Sequence, residues 1–159
     1  MIGYVLLITF AIIMGGIVYT WMKSYVPRQT IECPDGVSIF IKDIECVSAD
    51  GKYNLKLNLM NNGRFGIKGF YIKYSKEQEQ EIATETVSNI ISGGQISGGV
   101  VFFTGQEDLE PGENNSISFE LENKPYLIEI TPIRFETIKG KNRKLICGDA
   151  KIKEEIYCD

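Results

Sequence analysis

From Met1 to Met22 the chain has no charged side chain. The stretch MIGYVLLITFAIIMGGIVYTWMKSYVP can only be satisfied away from water. A helix needs about 20 apolar residues to cross the hydrocarbon of a bilayer, and this run has them. A signal peptide usually has a shorter apolar core, a basic start and small residues at a cleavage site. Here no Lys or Arg precedes the run, which leads directly into Trp21, Lys23, Tyr25 and Pro27. Trp, Tyr and Lys at the end of a span anchor it at the interface, and Pro27 helps to stop the helix. The expectation is therefore a retained hydrophobic helix over 1–26, reaching about 39 Å at the α-helical rise.

A helix that is apolar all round must be buried in lipid or among its own copies. Gly3, Gly15 and Gly16 offer flat patches where backbones can approach. The Gly15-Gly16 pair also weakens the middle of the helix, by about 1 kcal/mol per glycine relative to alanine. A local bend or stretch there would ease subunits past one another. The plain alternative is that glycine is common in membrane helices.

The flanking positive charges Lys23 and Arg28 follow the span. With Met1 as initiator, the positive-inside rule would leave the C-terminal part in the cytoplasm. The cysteines argue otherwise. Cys33, Cys46, Cys147 and Cys158 contain no CxxC pair, and an even number near the two ends of a domain reads as two disulfides, hence an oxidising compartment. A short basic leader, once upstream of Met1 and removed, would resolve the conflict. The alternative is four buried thiols in a cytosolic domain. Three pairings are open. The local one (Cys33 with Cys46, Cys147 with Cys158) is favoured because it needs no particular sheet order. The nested one (Cys33 with Cys158, Cys46 with Cys147) needs antiparallel first and last strands.

Beyond the apolar segment about 130 of the 159 residues remain, enough for one domain with its own core. A linker is expected over 27–36 and a β-sandwich over 37–159. Within VSIFIKDIECV, Val37, Ile39 and Ile41 share a face. Leu55, Leu57 and Leu59 do so in YNLKLNLMNNG, and Phe70, Ile72 and Tyr74 in IKGFYIKY. VVFFTG, SISFELE, YLIEITPIRFETI, RKLICG and KIKEEIYC continue the pattern, giving about eight β-rich runs. The alternation predicts one face in the core and one in water. MNNGRFG reads as a tight turn through Asn-Gly, and DLEPGENNS as a turn through Pro111-Gly112. Ser75 to Gly99, acidic and then glycine-rich, is expected to be a long surface loop with a short helix or irregular strand. Such a loop is either a plain solvated insertion or a binding surface.

Chemistry is excluded more readily than it is found. With 17 basic and 21 acidic residues the net charge is −4, and no basic run offers a footprint for nucleic acid. The absence of histidine removes the commonest general base and metal ligand. The acidic pairs Glu154-Glu155 and Asp108-Glu110 read as solvated surface. No catalytic constellation, cofactor motif or metal loop is predicted, and an enzyme is not expected. Asn114-Asn115-Ser116 forms a sequon in an expected surface loop, making Asn114 a candidate for N-glycosylation.

The opening segment GYVLLITFAIIMGGIVYTWMKSYVP, joined to a β-rich domain, resembles the N-terminal helix of the archaeal type IV pilin and archaellin superfamily. LNLMNNGRFGIKGFYIKY and LEPGENNSISFEL resemble segments of the immunoglobulin-like domains found there. Bacterial type IV pilins carry a glutamate at the fifth mature position. This chain has Val5, and archaeal members often lack that acid. The resemblance implies an α+β fold, with a long hydrophobic N-terminal helix and an all-β immunoglobulin-like sandwich. It implies that a prepilin peptidase removes the leader. It further implies that an assembly machinery moves the helix from the membrane into the core of an extracellular filament of identical subunits. On that expectation Val5, Leu6, Phe10, Ile13, Gly15, Gly16, Ile17 and Trp21 pack the filament core. The other expectation is a monomeric, membrane-anchored extracellular immunoglobulin-like protein, acting as a receptor or a stator.

Overall fold

The computed structural model describes residues 2–25, 32–105, 107–138 and 140–159. Met1, Val26, Pro27, Arg28 and the first part of the expected 27–36 linker lie outside the described residues. The chain divides into two compact units, residues 1–31 and 32–159.

In the first unit a single α-helix, α1 (Ile2–Tyr25), runs uninterrupted through Gly15 and Gly16. Its composition explains it: unbranched and β-branched apolar residues with no proline and no competing acidic side chain. Such a segment has no better way to satisfy its backbone away from water.

The second unit is built from β1 (Ile39–Ala49), β2 (Lys52–Asn61), β3 (Gly69–Ser75), β4 (Glu85–Thr86), β5 (Asn89–Ser92), β6 (Gly94–Ser97), β7 (Val100–Phe103), β8 (Asn114–Leu121), β9 (Leu127–Ile138), β10 (Lys141–Ile146) and β11 (Ile152–Glu155). One sheet has the order β1-β2-β8-β5. The other runs β10-β9-β3-β7-β6, with β4 on β3 and β11 on β9. Every ladder is antiparallel. The order β1-β2-β8-β5 over β10-β9-β3 matches the A-B-E-D over G-F-C arrangement of an immunoglobulin sandwich. The strands β6 and β7 extend the second sheet beyond β3.

Strand alternation produces the core directly. In the first sheet Leu55 and Leu57 of β2 pair with Phe119 and Ile117 of β8, and these four, Leu59 and Leu121 are all buried. Phe70, Ile72 and Tyr74 of β3 and Ile128 and Ile130 of β9 close the core from the second sheet. Each fully buried side chain of this size contributes about 1.5–3 kcal/mol.

The expected surface loop from Ser75 to Gly99 is only partly a loop. Its second half forms β4, β5 and β6, and β5 and β6 belong to different sheets. Gly93 makes the corner between them, at φ +82°. Gly93 there lets the chain switch sheets and close that side of the sandwich.

The Asn-Gly turn is also corrected. The chain does not return on itself at MNNGRFG, because β2 and β3 lie in different sheets, and Gly63 is not in the left-handed region. Asn61 holds this crossing instead. Its Nδ2 donates to the carbonyls of Phe65 (2.8 Å) and Leu109 (2.7 Å), while Gly63 N–H donates to its Oδ1 (2.9 Å). The two-residue hairpin falls at Asp50-Gly51, with φ of 53° and 78°. It joins β1 to β2 with the positive φ values that a type I′ turn requires. At Pro111-Gly112 the expected turn forms: Gly112 has φ +87° and Glu113 N–H donates to Glu110 O at 3.0 Å.

The disulfides join Cys33 to Cys147 and Cys46 to Cys158, with Cα separations of 5.2 and 4.7 Å. This is neither the local pairing favoured from sequence nor the nested one. The cause lies in β9. Both β10 and β11 pair with it, over Ile133 to Ile138 and Leu127 to Ile130, end to end along one edge. Pro132 sits at the break, where a strand can do without its N–H, and its carbonyl accepts from Cys147 N–H at 2.9 Å. The segment 147–158 therefore runs alongside 33–46 in the same direction. Beyond it, Asp159 bonds to Cys46 and Ser48 of β1. This terminal pairing covers the Cys46–Ser48 end of the β1 edge, which would otherwise expose unpaired backbone.

Candidate functional site

The feature without an internal structural role is α1. Every side chain from Gly3 to Tyr25 is exposed, including Leu6, Phe10, Ile13, Ile17 and Trp21. Such continuous apolar exposure is the mark of a surface meant for lipid or another protein. The helix is long and apolar enough to cross a membrane from Gly3 to Tyr25.

The helix also prepares its polar groups for a dry environment. Thr9 Oγ1 donates to the carbonyls of Val5 (3.1 Å) and Leu6 (3.0 Å). Thr20 Oγ1 does the same with Gly16 (3.1 Å) and Ile17 (2.9 Å), and Ser24 Oγ donates to Trp21 O at 2.8 Å. An unpaired hydroxyl in hydrocarbon costs several kcal/mol, so these local bonds let three hydroxyl residues enter an apolar medium. Sequence reasoning passed over them. The signal was present, since Ser and Thr within helices commonly bond back by three or four residues.

At the C-terminal end Trp21 and Tyr25 meet edge to face, with centroids 5.7 Å apart, and Lys23 Nζ lies 5.8 Å from the Tyr19 ring. Two amphipathic rings and a long cation thus collect at one level of the helix. This is the arrangement of an interfacial anchor.

The expected packing residues separate into groups. Leu6, Phe10, Ile13, Ile17 and Trp21 recur at intervals of three and four positions, so the helix brings them onto one stripe. Val5 lies about 100° around the helix from Leu6, on a neighbouring strip with Gly16. Gly15 lies on the far side. An added Cβ at Gly15 or Gly16 would meet nothing within 4 Å, so both remain open to close approach by another backbone.

In the β unit, the four cysteines are consumed by the two bridges. Asn114 is exposed, as a glycan acceptor must be. It does not lie in a loop, however: it opens β8 opposite Met60. Glu154 and Glu155 are exposed on β11.

No family model, curated protein or solved structure matches the chain.

Proposed function

We propose that this protein is a structural subunit of an extracellular filament of the archaeal type IV pilus kind, polymerising through α1. One observation carries the reading: a 24-residue helix, apolar on every side, with its serine and threonine hydroxyls bonded back to its own carbonyls. Such a helix is stored in a membrane and is equally suited to a dry bundle of identical helices. The Leu6-Phe10-Ile13-Ile17-Trp21 stripe and the open glycine surfaces supply side chains and close-approach sites for that bundle. The disulfide-braced β unit forms the outer coat. Heterologous contacts of this kind extend without closure, as a filament requires. Prepilin peptidase and pilus assembly proteins are the partners that the family resemblance brings.

The Trp21–Tyr25–Lys23 cluster favours a second reading, a permanently anchored extracellular binding or stator protein. Shearing cells, pelleting the released material and identifying its peptides separates the two. A filament subunit is the main component of fibres seen by electron microscopy. If the chain is found only with membranes, the anchor reading replaces the filament.

A further inference from the structure

A cleft of about 650 Å³ opens on the β unit where β7, β9 and the loops before β3 and β8 meet. Its apolar wall is a pair of rings. Phe102 and Phe135 lie 6.5 Å apart between centroids at an interplanar angle of 24°, and Phe135 is 42% exposed. Its polar wall is formed by Asp108 and Glu110, the acidic pair that sequence alone reads as solvated surface. The structure gathers both carboxylates around Gly66, where an added Cβ would stand 3.3 Å from Asp108 Cβ and 3.4 Å from Glu110 Oε1. Glycine keeps that space open.

The remaining groups are fixed. Arg134 Nε donates to Gly66 O at 3.0 Å, and its guanidinium lies 4.5 Å from the centre of the Phe65 ring. Lys68 Nζ stands 3.2 Å from Asp108 Oδ1, an oxygen with no hydrogen-bond geometry to any partner among the described residues. Asn142 Oδ1 accepts from Thr137 at 2.6 Å, which leaves its NH₂ to donate.

Lys68 is paired with Asp108, and Arg134 Nη1 lies 3.4 Å from Glu136 Oε1, so neither cation is left free to hold an anion. The lining of the cleft offers aromatic surface, carboxylate acceptors, and amide and ammonium donors. A neutral ring with an apolar C–H face and a belt of hydroxyl groups satisfies all three. We propose that this cleft binds a neutral hexopyranose, either free or as the terminal residue of a glycan. The C–H face would pack against Phe102 and Phe135. Asp108 and Glu110 would accept from hydroxyl groups, and Asn142 and Lys68 would donate. The volume lies within the range of small-molecule sites. The inference is independent of whether α1 polymerises.

The test is saturation-transfer NMR and titration of the full chain in a phosphocholine detergent, which contains no sugar. The probes are the methyl glycosides of glucose, galactose, mannose and N-acetylglucosamine, and an oligosaccharide ending in whichever binds. Saturable binding of at least one probe is expected, with a Kd in the millimolar range. F135A, F135L and D108N should each weaken it about tenfold, while I91S, on the other sheet, leaves it unchanged. Thermal unfolding of each variant checks that it remains folded. Tighter binding of the oligosaccharide identifies a glycan end as the ligand, and equal binding identifies the free sugar. The proposal is overturned if no probe saturates, if binding survives both F135A and D108N, or if D108N abolishes it while F135A does not, since the aromatic wall then plays no part.

Discussion

Asn61 donates its side-chain amide to the carbonyl of Leu109, 48 positions further along the chain, at 2.7 Å. The same amide bonds Phe65 O and accepts from Gly63 N–H. One fully buried polar side chain thus fixes the crossing from β2 to β3 and the approach to β8. Replacing it with alanine leaves the Phe65 carbonyl and the Gly63 N–H without partners, and Leu109 O with only its bond from Ile67 N–H. N61A is expected to destabilise the β unit by about 3 kcal/mol. N61D, nearly identical in shape, should also destabilise it, because a carboxylate cannot donate to those carbonyls. Denaturant unfolding checks both, and wild-type stability in either variant would contradict the role of Asn61.

The disulfide pairing predicts a peptide map. Digestion without reductant should give one peptide pair joining Cys33 to Cys147 and another joining Cys46 to Cys158. Each bridge closes a loop of more than a hundred residues, with sequence separations of 114 and 112. Removing one by paired serine substitution should cost about 2–5 kcal/mol. Mass spectrometry that recovered the local pairs would refute the crossed arrangement.

Two glycines with similar φ should respond differently to alanine. At Gly93 (φ +82°) an added Cβ collides with the backbone oxygen of Ser116, whereas at Gly112 (φ +87°) it meets nothing within 4 Å. G112A bears only left-handed strain, about 1–2 kcal/mol. G93A must also displace β8, and the expected result is loss of the β5–β6 corner or of the fold. Thermal unfolding of the two variants side by side measures the contrast.

Alkali should weaken surface contacts that are intact at neutral pH. Lys52 is held above the usual lysine range by its hydrogen bond to Glu120, and Lys76 by its hydrogen bond to Glu85. Tyr157 is raised by donating to Glu155. In each case the folded state holds the proton more tightly than the unfolded chain. The stabilisation is therefore complete below the unfolded value and lost as pH rises through the folded one, above about pH 10. All three groups lie on the surface, so each step is small and screened by salt. Melting temperatures from neutral pH to pH 11, for the wild type and K52M, should show a shallower alkaline decline in the variant.

Much of the sandwich was legible because period-two burial is written in single residues. Leu55, Leu57 and Leu59 alternate with Asn54, Lys56 and Asn58, and only one arrangement buries the leucines. The helix was legible for the same reason, as a run without charge. What was not legible depends on partners distant in the chain. Asn-Gly at 62–63 carries a hairpin signal, but the Asn61 side chain and the sheet change override it, while Asp50-Gly51 makes the hairpin. β5 and β6 are only four residues each, and they become strands because β8 and β7 offer them edges. The near-equal spacings of Cys33–Cys46 and Cys147–Cys158 did hold information, but spacing cannot distinguish parallel from antiparallel neighbours. The cleft at Phe102 and Phe135 was invisible because its walls come from separate strands.

The central claim is that α1 ends its assembly path against other copies of itself. A photo-crosslinking residue at Phe10, on the Leu6–Trp21 stripe, tests it in sheared surface material. The account predicts a ladder of dimers, trimers and higher multimers joined through α1. Crosslinks to lipid alone, on a chain that remains monomeric, would contradict it.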